Sequence, residues 1–184
     1  MKATFLNALF IAGITLLGTS CNKVSNITGG GGGLTAGQCT FSFNTDKDFN
    51  GTKSINIPAS ATSSATKTDN LNTTQITLIA NNFSVGSGKI ASAQMTISVP
   101  KGSTTSGGNI SVPFSGSSTQ TATLIVSNLT AGQSKPAYAA ETGTVVITKL
   151  TATDVEGTFS CYAVNDDDKT SINLSNGKFA GKFK

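Results

Sequence analysis

From Gln38 onward, apolar and polar side chains alternate at every second position, and Gly, Pro, Asn and Asp interrupt the alternation at short intervals. Period two places one set of side chains on a buried face and the other in water, the signature of half-buried strands. Ten short segments follow it: CTFSFN (39–44), SINIPA (54–59), TQITLIAN (74–81), AQMTISV (93–99), NISVPF (109–114), TATLIVS (121–127), GTVVITKL (143–150), EGTFSCYAV (156–164), SINLS (171–175) and KFAGKF (178–183). No stretch after Gly37 sustains a helical period. Short strands punctuated by turns predict an all-β fold, an antiparallel β-sandwich of about ten short strands, with an up-and-down β-barrel as the alternative. Asn176-Gly177 predicts a tight hairpin, because a type I′ turn needs φ > 0 at both central residues. The strand after it carries Phe179 and Phe183 on one face, with Lys178, Lys182 and Lys184 on the other, as an edge strand would.

The pattern is different before residue 38. Lys2 precedes a mostly apolar stretch, Phe5 to Leu17, and the small residues Gly18, Thr19 and Ser20 lead into Cys21. These are the parts of a secretory signal, and the stretch is too short to span a bilayer, which needs ~20 apolar residues. Cys21 stands where a bacterial lipobox places the acylated cysteine, although Gly18 occupies the position usually held by Leu. A multi-chain anchor on Cys21, palmitate included, would make membrane attachment durable, since each buried CH₂ contributes ~0.8 kcal/mol. Asn22 to Gly37 holds the glycine run Gly29–Gly33, no aromatic residue and almost no charge. It is expected to act as a tether reaching roughly 20–24 Å. The expected organisation is a signal peptide over 1–20, a lipidated cysteine and Gly-rich tether over 21–37, and one β domain over 38–184.

Composition narrows the chemistry. The formal charge is +4, and there is no Arg, so no basic patch points to nucleic acid. Charged residues make up 12% of the chain, about half the usual share; Ser, Thr and Asn solvate the outer faces instead. There is no His, which removes the commonest general base and excludes Ser-His-Asp and Cys-His sites. With Cys21 assigned to lipid, Cys39 and Cys161 form an even pair. Each falls on the apolar face of its strand, beside Phe41 and Phe43 or beside Phe159 and Ala163. A disulfide between Cys39 and Cys161 is expected, with two buried free thiols as the alternative.

The C-terminal third, "YAAETGTVVITKLTATDVEGTFSCYAVNDDDKTSINLSNGKFAGKFK", resembles the end of a family of lipoproteins from Bacteroidota-type bacteria, classed as a domain of unknown function. The pattern is a Tyr, a strand opened by Gly-Thr, a "GTFSCYAVN" strand and a close on "NGKF". The first strand, "CTFSFN", is similar as well, but "DKDFNGTK" stands where members carry a shorter I-D-G-K turn. The resemblance implies an all-β lipoprotein domain and brings no catalytic or binding residues with it.

Few constellations could carry chemistry. Asp46, Asp48 and Asn50, followed by Gly51, open like a calcium loop, with alternating oxygens and a glycine for the turn. Ile57 stands where such a loop would need Glu, and Asp166-Asp167-Asp168 lies in another loop. Calcium is the one cofactor with any support, and a solvated turn explains the same residues. Ser64-Ala65-Thr66-Lys67 matches S-x-x-K but lacks a K-T-G partner. "VGSGKI" (85–90) lacks the first glycine and the Ser/Thr of a phosphate loop. No catalytic residue is expected. The chain reads as a non-catalytic cell-envelope lipoprotein, a binding or structural module on the outer membrane of a Gram-negative bacterium. Its expected partners are the lipid bilayer and an envelope protein or glycan. The alternative is an adhesin-like or pilin-like surface subunit.

Overall fold

A computed structural model of the chain describes residues 33–49, 51–84, 89–130 and 137–184. The first strand, β1 (Cys39–Phe49), is followed by β2 (Thr52–Ile57), β3 (Ser64–Asp69), β4 (Thr73–Ser84) and β5 (Lys89–Pro100). Next come β6 (Ile110–Pro113), β7 (Thr121–Thr130), β8 (Ala137–Leu150), β9 (Asp154–Val164) and β10 (Ser171–Lys182). All pairings are antiparallel, and the path of hydrogen-bonded neighbours is β2-β1-β10-β9-β8-β7-β5-β4-β3. β8 is long enough to take two partners on one side, β7 at Ala137–Ala139 and β6 at Thr144–Ile147.

The fold is therefore all-β, one antiparallel sheet of ten strands curled strongly on itself. Alternation produces the core. On β9, Val155, Gly157, Phe159, Cys161 and Ala163 point inward, while Glu156, Thr158, Ser160 and Tyr162 face water. The inner face of β4, β5 and β7 adds Ile76, Leu78, Met95, Ile97 and Leu124, all buried. Burying one such side chain is worth about 1.5–3 kcal/mol, so the curl is driven by covering a single apolar face. β2 packs across β4 and β5, and Asn82 Nδ2 donates to the carbonyl of Asn56 at 3.1 Å. At the other margin Gly37 N donates to Lys182 O, and Ala65 N donates to Gly37 O, so one residue stitches β10 to β3.

Four expectations change. SINLS and KFAGKF are not two strands joined by a hairpin but one strand, β10, with a β-bulge at Asn176. Asn176 alone takes the left-handed conformation, φ 51°, and a type I′ turn would require it of Gly177 too. β10 is not an edge either; β1 and β9 flank it, and its lysines lie on the sheet's outer face. Ser64–Asp69, absent from the ten segments, is an edge strand that places only Ala65 in the core, too little for the pattern to register. Finally, the chain enters the domain before residue 38. Thr35 and Gln38 close a turn, and Gly37 is buried.

Candidate functional site

The Cys39–Cys161 bridge does not form; both cysteines are buried free thiols. Register explains why. Cys39 pairs with Gly181, which pairs with Val155 on β9. Cys161 lies six residues further along that strand, ~20 Å away at ~3.3 Å per residue, whereas a disulfide needs Cα atoms within ~7 Å. Sharing a core face was the signal read from sequence, but it says nothing about position along the strand. Cys39 Sγ lies 3.2 Å from the carbonyl oxygen of Ser64 and 3.1 Å from that of Ile79, so its proton is donated to one or the other. Burial pushes the Cys39 thiol up to about 11 and the Cys161 thiol up to about 12. Neither is a nucleophile at neutral pH.

Asp46 and Asp48 do not converge. Asp46 reaches sideways to β10, where its Oδ1 accepts from Asn173 N at 2.8 Å and its Oδ2 from Asn173 Nδ2 at 2.7 Å. These bonds hold its carboxyl below the usual carboxylate range. Asp48 accepts instead from Gly51 N at 2.6 Å, tying the β1–β2 turn. Asn50 and Cys21 lie outside the described residues, as does most of VGSGKI. In the β9–β10 loop, Asp168 Oδ1 accepts from Thr170 N, Thr170 Oγ1 and Asn165 Nδ2, which lowers its pKa, with Thr170 the main cause. Among the described residues no three His, Cys, Asp or Glu side chains gather as a metal-binding group. Ser64 and Lys67 stand three apart on β3 and so project to opposite sides; Lys67 Nζ bonds Thr151 O at 3.4 Å.

What the structure brings together, and the sequence did not announce, lies on the outer face of β8, β9 and β10. On β10 the register shifts between Leu174 and Gly177, so Ser175 and Asn176 oppose Ser160 of β9. On β8 it shifts between Ala140 and Thr142. Two bulges thus flank Ser160 to Ala163, and bulges re-aim side chains beside functional sites. Between the strands lies a shallow depression of about 330 Å³, with Val146 beside the polar side chains Thr144, Thr158, Ser160, Asn176 and Lys178. Tyr162, two residues beyond Ser160 on the same face, is 39% exposed. It sits between Thr142 and Asn173, the residue that Asp46 grips. Asn176-Gly177 was the only local signal, and it was read as a turn.

No family model, curated protein or solved structure matches this chain.

Proposed function

We propose that this chain is a non-catalytic cell-envelope lipoprotein, an all-β binding module held at a membrane by acyl chains on Cys21. The observation that carries the reading is the run Leu16-Leu17-Gly18-Thr19-Ser20-Cys21 followed by the Gly29–Gly33 tract. Apolar leader, small residues, cysteine and pliant spacer stand in the order lipid attachment requires. The resemblance of Tyr138–Phe183 to Bacteroidota-type lipoproteins supports the same location, the outer membrane of a Gram-negative envelope. The non-catalytic part rests on the lack of His and on how the carboxylates are spent. Asp46, Asp48 and Asp168 tie strands and turns, and Glu156 pairs with Lys149 at 2.9 Å on the surface.

The adhesin-like or pilin-like alternative would need an open strand edge. The sheet ends at β2 and β3, each of six residues, and the β3 amide of Ala65 already donates to Gly37. Metabolic labelling with palmitate tests the lipid assignment. The wild-type chain is expected to take up label and a Cys21→Ala variant to take up none. A wild-type chain without label, or a variant labelled equally, would overturn it.

A further inference from the structure

We infer that the outer face of β8, β9 and β10 binds a neutral glycan, its sugar rings lying in the depression beside Ser160 and stacking on Tyr162. The inference deepens the envelope-module reading and rests on it for its setting.

The geometry comes first. An undisturbed antiparallel sheet offers a convex carpet of side chains with nowhere for a ligand to settle. Here bulges on both neighbours of β9 break that regularity around the same few residues. The bulge in β10 sets Asn176, with φ 51°, opposite Ser160, and the depression opens at that point.

The chemistry of the lining selects the occupant. Thr144, Thr158 and Ser160 offer hydroxyls that both donate and accept, and Asn176 offers an amide that does the same. Sugar hydroxyls need that mixture. Tyr162, two residues beyond Ser160 on the same face, adds a partly exposed ring next to the depression, and such a ring covers the C–H face of a pyranose while its hydroxyl stays wet. Asn173, fixed by two hydrogen bonds to Asp46, borders the ring and cannot swing over it.

Charge rejects the competitors. Lys178 is the one cation of the lining, so a polyanion would gain a single favourable charge in the depression itself. An apolar peptide would find Val146 and part of Phe159, and would leave the hydroxyls and the amide around them without partners. A neutral, polyhydroxylated chain fits both the charge and the donor pattern.

Isothermal titration of the full chain against cellohexaose, laminarihexaose, maltohexaose and chitohexaose, with alginate as the anionic comparison, tests the inference. At least one neutral hexasaccharide is expected to bind with a Kd between about 10 μM and 1 mM. Tyr162→Ala should weaken that binding at least about tenfold. Asn176→Gly, which keeps the backbone free to hold positive φ and deletes the amide, should weaken it severalfold. Tyr162 is exposed, so an unchanged urea midpoint is expected to certify its variant as folded. The inference fails if no neutral sugar binds, if Tyr162→Ala binds equally well, or if alginate binds more tightly than every neutral sugar. It fails equally if Tyr162→Ala abolishes a concentration-dependent self-association, which would make a second copy the occupant. Palmitate labelling fails independently: without it the anchor is lost while sugar binding stands, and without sugar binding the site is lost while the anchor stands.

Discussion

Cys39 and Cys161 show what burial does to a reactive side chain. Desolvation disfavours the thiolate, so the folded state holds each proton more tightly than the unfolded chain, whose thiols titrate near 9.0. The resulting stabilisation is complete below pH 9 and is lost as pH rises through about 11 for Cys39 and about 12 for Cys161. Two outcomes are expected. The urea midpoint should fall as pH is raised above 9, and a Cys39→Ala, Cys161→Ala double variant should lose that extra fall. At pH 8 neither thiol should react with a disulfide reagent in the native protein within the time that both react in urea. Rapid modification of either native thiol, or a mass showing a Cys39–Cys161 bridge, would contradict the structure. The inward direction of both cysteines was legible from their phase with Phe41, Phe43, Phe159 and Ala163. Their separation along β9 was not, because period two encodes the face and leaves register to long-range pairing.

Two strands share a device that explains the "GTF" and "GKF" pieces of the sequence. Gly157 of β9 pairs with Phe179 of β10, and Gly177 of β10 pairs with Phe159 of β9. Each ring lies over the glycine of the opposite strand: a Cβ at Gly157 would meet Phe179, and one at Gly177 would meet Phe159. The rings cover the backbone that glycine leaves bare, and Phe41 caps both, with centroids 6.4 Å from each. Phe43 and Phe49 extend the cluster to Tyr138. Gly157→Ala should therefore cost about 1–3 kcal/mol by urea unfolding, the range for forced overpacking. Gly107→Ala, where an added Cβ meets nothing, should stay within about 0.5 kcal/mol. Equal effects at both positions would refute the packing account. At this scale the alternation revealed nine of the ten strands, two of its candidates proving to be one. It overlooked β3, whose single core residue is Ala65, and took a bulge for a hairpin. Asn-Gly favours positive φ wherever it falls, and pairing with β1 and β9 on both sides keeps the strand running straight through it.

The β domain follows from one apolar face. The inner face, continuous across the strands, curls the sheet on itself and leaves an outer surface of hydroxyls, amides and scattered lysines. Among the described residues, that surface carries an interrupted patch where bulges in β8 and β10 flank Ser160 and Tyr162 of β9. The fold class was legible because alternation is local. The patch was not, because it is assembled from register shifts between neighbouring strands, and period two encodes the face of a strand but not its register. The proposed location, by contrast, rests on Cys21 and its surroundings, with the resemblance of Tyr138–Phe183 beside them. The most direct test is the intact mass of the protein extracted from bacterial membranes. The account predicts a chain beginning at Cys21 that carries a glyceride and additional acyl mass. An unmodified chain, or one cleaved away from Cys21 and recovered from the medium, would contradict it.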